Sequence, residues 1–329
     1  MKITESLSKG LKNRLFLELS DETQKVIANG RKDISLKFKA SRSGWEKYLP
    51  NFIKYYEKFL IVFYEGGSKR KPYAAMSNIF VNQNREFNQW REKCLEGMVC
   101  ISSLEPYFFD YSEGMFNLGE HAISRLYERG DIKFIDDFTV DIYSIIPELK
   151  LIPLWSSFWV MVFLCFKGEN QHLGEHNEIY PVIPCNSGLF LGKISNGQGE
   201  IFEIRTFLDS DSLNFEQQEV RKILLEISDG FESSPLCFLP LIQVTYLDDV
   251  TIQVGIIAFE ILKNYDLISR TIFHRIEDDS LRIKLKDNFK STLKELSKGV
   301  NPSLIEACRR IGMRNFMVEV KKVKNKDFS

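Results

Sequence analysis

The chain has 329 residues, of which 44% are hydrophobic and 13% aromatic, which excludes a disordered or low-complexity protein and allows a large core. The net charge of −1 hides a segregation, because residues 1–75 and 263–329 are basic while residues 76–262 are acidic. The basic ends predict a phosphate-attracting surface if they meet in space; pairing with the acidic middle or with an acidic partner is an equal alternative. Six cysteines without a close CxxC pair favour reduced thiols in a cytoplasmic protein over a disulfide or zinc framework.

The N-terminal third predicts a mixture of helices and strands. Residues 1–40 predict one or two helices, with a break at Asn29-Gly30, followed by a short strand. Residues 45–65 predict a helix with aromatic residues at helical intervals and then a buried strand. Residues 82–98 place aromatic and sulfur-containing side chains on one face, which predicts an amphipathic helix.

A short, well-delimited helix is predicted from Asn117 to Gly130. Asn117 can cap its first turn in a capping box with Glu120, and Gly130 is the residue expected just past its last turn. One band of this helix carries a titratable ring and two permanent cations, spaced four residues apart: His121, Arg125 and Arg129. Such a stripe suits the binding and cleavage of a phosphodiester. Arg129 overlaps the apolar arc of the helix, so its guanidinium needs a carboxylate, a carbonyl or a bound anion.

The chain becomes more apolar after this helix. Residues 134–148 predict a further helix, and Phe158–Phe166 predicts a fully buried central β-strand. The apolar run around that strand, residues 151–166, is shorter than the roughly 18 to 20 residues of a membrane span, so we expect no membrane anchor.

An antiparallel meander is predicted next. Strand patterns occupy residues 180–183, 188–194 and 200–208, and a strong turn signal at residues 195–199 separates the last two. A helix is expected from residue 215 to residue 228. The C-terminal part predicts strands and helices in alternation: strands at 241–246, 251–259 and 316–323, and helices around 260–275, 282–297 and 302–311.

These elements predict an α+β fold, in which the His/Arg helix precedes a central antiparallel β-meander and mixed helical regions flank both. We place soft boundaries near residues 100 and 232. The expected regions are a basic α/β N-terminal region (1–100), a central α+β domain (101–231) and a basic α/β C-terminal region (232–329).

One helix with His-x3-Arg-x3-Arg followed by an antiparallel meander resembles the small bacterial RNase-toxin domains of the BrnT and RelE type. The resemblance rests on His121-Ala122, Arg125 and Arg129 in EHAISRLYERG, and on a strand that ends in IRTFL at 204–208. It covers residues 117–220, about a third of the chain.

The resemblance implies a metal-independent RNase of a toxin or phage-defence system, with RNA as its partner and without a cofactor or metal. In that chemistry the 2′-hydroxyl attacks the adjacent phosphate, which requires a base, an acid and cations for the developing charge. The implied roles are His121 as acid or base, Arg125 and Arg129 as phosphate clamps, and Arg205 from the hairpin strand as a further cation.

A structural interpretation of the same residues stays open. Arg129 and Arg205 can be partners of carboxylates such as Asp136, Asp137 or Glu203, with His121 inside the fold, because structural ion pairs have the same sequence pattern. For the whole protein the alternative is a non-enzymatic subunit of a larger protein or nucleoprotein assembly. High aromatic content, charge segregation and the absence of the common hydrolase, zincin, dinucleotide and P-loop motifs are typical of that alternative.

His172 and His176 stand four residues apart, a spacing that can hold zinc on a helix with a third ligand from elsewhere. Conceivable third ligands are His274, Cys165 and Cys185. Gly174 and the position between strands favour a solvated loop instead, so we expect no metal site.

Overall fold

The structure, a computed structural model, describes the following parts of the chain: residues 3–37, 42–67, 72–82, 93–103, 108–132, 140–169, 178–195, 201–229, 231, 234–238 and 247–300. Helices and a mostly antiparallel sheet confirm the predicted α+β class. The α-helices in these ranges are α1 (Glu5–Lys37), α2 (Arg42–Tyr56), α3 (Glu120–Arg129), α4 (Ile152–Glu169), α5 (Phe215–Ser228), α6 (Leu247–Lys263), α7 (Tyr265–Ile272) and α8 (Asp279–Leu296).

Eight strands form the sheet in the described ranges, and short 3-10 helices connect some of the larger elements. The strands are β1 (Leu60–Gly67), β2 (Pro72–Asn82), β3 (Cys94–Ser103), β4 (Phe108–Gly119), β5 (Glu178–Ile179), β6 (Val182–Pro184), β7 (Gly188–Ser195) and β8 (Phe202–Asp209). The 3-10 helices are Ile142–Leu149, Ser210–Ser212 and Pro235–Phe238.

Two antiparallel blocks make up this sheet. The first is the meander β1-β2-β3-β4, and the second is the hairpin β7-β8 with β5 and β6 both paired to β7. A short parallel pairing of β4 with β8 joins the blocks, with Phe116 opposite Phe202 and Leu118 opposite Ile204. The predicted hairpin is therefore confirmed, although the turn residues 196–199 lie outside the described residues, and the longer meander precedes α3.

The prediction of a β-strand at Phe158–Phe166 is wrong, because these residues lie in the middle of α4. An almost continuous apolar run has neither a period of two nor a period of 3.6, so periodicity alone cannot separate a buried strand from a buried helix. Elements pack around α4 on several sides, including β4, β6, β8 and α8. The strand predicted at Thr251–Phe259 is wrong for the same reason and lies in α6.

The amphipathic helix predicted at residues 82–98 is wrong at its C-terminal end. Cys94 begins β3, and the backbone from Cys94 to Ser103 pairs with β2. The preceding residues 83–92 lie outside the described residues. α1 runs through Asn29-Gly30 to Lys37, so the break expected there is not observed.

Other predicted elements agree with the structure. The helix at 215–228 has the bounds of α5, and the helices predicted around 260–275 and 282–297 correspond to the end of α6, to α7 and to α8. The strands predicted at 241–246 and 316–323 and the helix at 302–311 lie outside the described residues. β3 crosses the boundary proposed near residue 100, and the division into three regions stays a prediction.

Within the described ranges, no single helix has both the length and the apolar composition of a membrane span. The 3-10 helix Ile142–Leu149 and residues Ile152–Phe166 reach these limits only together, and a bend of 45° separates them.

Candidate functional site

The start of α3 differs from the predicted capping box. Gly119 is the N-cap and has no side chain to cap the helix, whereas Asn117 belongs to β4, and its buried Oδ1 has no hydrogen-bond partner in the part of the chain that the structure describes. Glu120 instead accepts a hydrogen bond from Lys12 of α1 at 2.5 Å. Strand pairing therefore extends two residues beyond the predicted cap. The predicted end is confirmed, since the backbone N–H of Gly130 donates to the Leu126 carbonyl at 2.7 Å.

One face of α3 packs into the protein and orients the opposite face. Its buried residues are Ala122, Ile123, Leu126 and Tyr127. The Tyr127 hydroxyl donates to the carbonyl oxygen of Ile142, and burial raises the pKa of this phenol. α3 contacts β8 and α1, and the hydroxyl oxygens of Ser124 and Ser8 lie 3.2 Å apart across the α1 contact. The polar face of α3 consequently has a fixed position beside β8.

His121 lies on the exposed side of the first turn of α3. Within the described part of the chain its imidazole has no hydrogen bond or ion pair. A ring that is open to solvent can reach a bound substrate, and none of the side chains that the structure describes fixes its orientation. The alternative in which His121 lies inside the fold does not agree with this exposure.

Arg125 faces α1 and is paired within its own helix. Its Nη1 lies 2.8 Å from Glu128 Oε2, and both side chains are partly exposed. Glu5 of α1 has a lowered pKa, chiefly through its hydrogen bond and charge interaction with Lys9 and also through the positive charge of Arg125. Arg125 thus has one carboxylate partner, Glu128, and its charge also acts on Glu5 of α1.

Arg129 and Arg205 each have a carboxylate partner on β8. Arg129 Nη1 lies 3.7 Å from Asp209 Oδ1, with 33% of the arginine side chain exposed. Arg205 donates through Nη2 to Glu203 Oε2, and only 5% of the Glu203 side chain is exposed. Arg129 is an exposed residue and does not lie inside the apolar arc as predicted; its carboxylate partner in the described ranges is Asp209, which was not among the carboxylates considered. Asp136 and Asp137 lie outside the described residues.

The four predicted site residues lie on two neighbouring elements that are distant in sequence, α3 and β8. The name α3–β8 face is used below for the four residues that these two elements carry: His121, Arg125, Arg129 and Arg205. The parallel register that sets Leu118 opposite Ile204 brings the residue before α3 level with Arg205. At the other end, the ion pair between Arg129 and Asp209 joins the last turn of α3 to the end of β8.

The metal site is a separate question. His172 and His176 lie outside the described residues. In the ranges that the structure describes, no three His, Cys, Asp or Glu side chains are grouped closely enough to hold a metal ion. Cys185 is buried and burial raises the pKa of its thiol, whereas Cys165 is exposed.

A second group of functional side chains was not identified from the sequence as a set. Tyr180, Arg270, His274 and Arg275 line one cavity together. Of these, only His274 was a candidate, and then as a zinc ligand. The one local signal for this cavity in the sequence is the short basic stretch His274-Arg275 after a helix. The strands and the helix N-terminus that complete the cavity are distant from this stretch in sequence.

Fold and site together define an α+β protein in which a helix with a His/Arg stripe packs against the strand that joins two antiparallel blocks. Compared with known proteins, the chain matches no family model, no curated protein and no solved structure.

Proposed function

We propose that this protein is directed at nucleic acid, RNA more than DNA, and that the α3–β8 face contacts its phosphate groups. The observation that carries the proposal is the packing of α3 against β8. This contact joins the helix that carries one imidazole and two guanidinium groups to the strand that carries a third guanidinium group. Imidazole and guanidinium are the groups that phosphate recognition and phosphodiester chemistry use most readily.

The reaction we propose is metal-independent RNA cleavage. The 2′-hydroxyl loses its proton to a base and attacks the adjacent phosphorus, and the 5′-oxygen leaves with a proton from an acid. The products are a 2′,3′-cyclic phosphate and a free 5′-hydroxyl. Imidazole is the side-chain group that enzymes use most often as a general acid or base, and His121 is the one imidazole of the α3–β8 face, so we assign it that role.

The three arginines of the α3–β8 face have different roles because their carboxylate partners differ in burial. Arg125 and Arg129 are each about one third exposed, and ion pairs of this kind contribute only about 0.2 to 1 kcal/mol. A phosphate can therefore replace Glu128 or Asp209 at little cost. Arg205 differs because Glu203 is buried and needs its cation, so we assign Arg205 a positioning role rather than that of a phosphate clamp.

Cleavage of a mixed RNA by the full-length protein, in the presence of a chelator, tests this proposal. We expect His121→Gln to lower the cleavage rate by about 100-fold or more, the usual contribution of one general acid or base. Arg14→Gln is the matched control, because Arg14 is exposed and paired with Glu18 on α1. Intact RNA after incubation with wild-type protein, or wild-type rates for a folded His121→Gln variant, would refute the catalytic proposal.

A second candidate is a non-enzymatic subunit of a larger protein or nucleoprotein assembly. The pairing of Arg125, Arg129 and Arg205 with carboxylates of this chain favours it. Large apolar side chains that are exposed also favour it, namely Leu17, Phe215 and Ile283. RNA binding without cleavage, or a stable complex recovered by affinity capture and size exclusion, supports this candidate, whereas a monomer that binds neither RNA nor a partner contradicts it.

A further inference from the structure

A cavity of about 130 Å³ opens between the β6–β7 pair, the N-terminus of α5 and the C-terminal end of α7. Val182 and Leu191 contribute its apolar wall. The rest of the wall is polar and includes Tyr180, Arg270, His274 and Arg275. None of its lining residues belongs to the α3–β8 face, so the cavity is a separate candidate site.

Cationic groups outnumber carboxylates around this cavity. Arg270, His274 and Arg275 come from one short stretch at and just beyond the end of α7, and Glu216 is the carboxylate among the lining residues. Two guanidinium groups against one carboxylate give a net positive wall. An anion is the ligand that such a wall attracts.

The pair between Arg270 and Glu216 is weak enough to open. Arg270 Nη2 lies 3.1 Å from Glu216 Oε1, and each side chain is 52% exposed. Solvent screens such a pair, and its contribution is at the low end for ion pairs. Arg270 can therefore turn its fork of donors from Glu216 to an anion in the cavity.

Arg275 is held with its donors still available. Its guanidinium carbon lies 5.3 Å from the centroid of the Tyr180 ring. Contact with the ring uses the face of the guanidinium and leaves the N–H groups at its edge free to donate. Tyr180 is itself fixed, because its hydroxyl donates to Glu178 at 2.6 Å. Burial, then this hydrogen bond and the Glu178 charge, raise the pKa of Tyr180 to about 12, so the ring is neutral.

His274 presents one ring nitrogen to the cavity side. Its Nδ1 lies 2.7 Å from the carbonyl oxygen of Thr271, which can only accept, so Nδ1 carries a proton. Nε2 is then the nitrogen available for a ligand, and it donates when the ring is protonated.

The first turn of α5 adds backbone donors beside the cavity. Asn214 and Gln217 form a complete capping box that satisfies the N–H groups of these two residues. The N–H groups of Phe215 and Glu216 are the remaining ones of the first turn, which helix geometry leaves without intrahelical acceptors. The positive end of the helix dipole is at the same place.

We propose that this cavity binds a phosphate group, either as free inorganic phosphate or as the terminal phosphate of a nucleotide. Arg270 and Arg275 bind its oxygens through charge-assisted hydrogen bonds, and the first turn of α5 supplies further donors. Glu216 competes with the ligand for Arg270. This proposal is independent of the function proposed for the α3–β8 face.

Isothermal titration calorimetry of the full-length protein with inorganic phosphate, and separately with adenosine monophosphate, tests the proposal. We expect saturable binding of at least one probe, and the comparison identifies whether free phosphate or the phosphate ester is preferred. Arg270→Gln combined with Arg275→Gln should weaken binding by about tenfold or more. Arg14→Gln, a distant exposed arginine, should bind as wild type does.

Glu216→Gln separates ligand binding from a purely structural role. Removal of the competing carboxylate should tighten phosphate binding, by about twofold to fivefold given the small contribution of such a pair. The absence of saturable binding to the wild type would overturn the proposal. So would wild-type affinity in the folded double-arginine variant, or weaker binding in Glu216→Gln.

Discussion

Burial of the carboxylate distinguishes one arginine of the α3–β8 face from the other two. Arg125 and Arg129 have partly exposed partners, so solvent shares the charge of both members of each pair. Arg205 serves the buried Glu203, whose charge would otherwise lack compensation. An ion pair costs little to lose at the surface and much to lose in the interior, because only the buried partner has given up its hydration.

Arg205→Ala should therefore lower the free energy of unfolding by about 2 to 3 kcal/mol, since it leaves Glu203 buried without its main cation. Urea denaturation measures the change. Arg125→Ala is the matched control and should cost only about 0.3 to 0.5 kcal/mol. The double variant Glu203→Leu, Arg205→Met should recover most of the loss. Equal effects of the two alanine substitutions would contradict the structural role assigned to Arg205.

At the scale of elements, α4 shows how an apolar sequence becomes a helix. Its side chains are buried on nearly all sides, and two indole N–H groups find acceptors on neighbouring elements. Trp155 Nε1 donates to Ser228 Oγ at 2.8 Å, and Trp159 Nε1 donates to the Val182 carbonyl at 3.2 Å. A helix makes its backbone hydrogen bonds within itself, whereas a strand needs a neighbouring strand. A helix can therefore be buried among other elements on all sides without leaving backbone groups unpaired.

Two buried serines of this region should respond in opposite directions to the same substitution. Ser156 is buried in α4, and its hydroxyl has no hydrogen-bond partner among the described residues, so Ser156→Ala should raise the free energy of unfolding by about 0.5 to 1 kcal/mol. Ser228 accepts from Trp155 and donates to the Leu224 carbonyl, so Ser228→Ala should lower it by about 1 to 2 kcal/mol. Urea denaturation of both variants provides the comparison. A loss of stability in Ser156→Ala would show that its hydroxyl is satisfied.

The whole molecule depends on a sheet assembled from distant segments. β4 belongs to the meander in the N-terminal half, and its three-residue pairing with β8 connects it to the hairpin. α1 packs against α3, so the N-terminal helix also supports the α3–β8 face. The β4–β8 pairing forms only when Phe116 and Phe202, which are 86 residues apart in sequence, come together.

We expect the isolated fragment 101–231, the predicted central domain, not to fold independently. The cut removes most of β3, which pairs with β4 from Cys94 onward, and removes α1 from the buried side of α3. Exposed strand edges and apolar surface should make the fragment aggregate or unfold without cooperativity. Folding of the fragment is measured by amide proton–nitrogen NMR spectra and by urea denaturation. A protein of residues 1–300 serves as the control. A dispersed spectrum with a cooperative transition from the fragment would uphold the three-region division.

The sequence by itself determined the features that depend on local signals. Turn residues and strand patterns predicted the β7–β8 hairpin, the residues 215–228 predicted α5, and Gly130 marked the end of α3. The stripe of His121, Arg125 and Arg129 also follows from spacing on one helix. These properties need only neighbouring residues, so they can be predicted from the chain.

Only the tertiary structure decided the features that depend on contacts between distant residues. It made helices of Phe158–Phe166 and Thr251–Phe259, because burial from several sides removes the periodicity that separates helix from strand. It gave Arg129 the partner Asp209, and it gathered Tyr180 and Arg275 at one cavity. Ion pairs and cavities form between segments that approach each other only when the chain folds. Which cationic side chains can bind an anionic ligand is therefore decided by the folded structure.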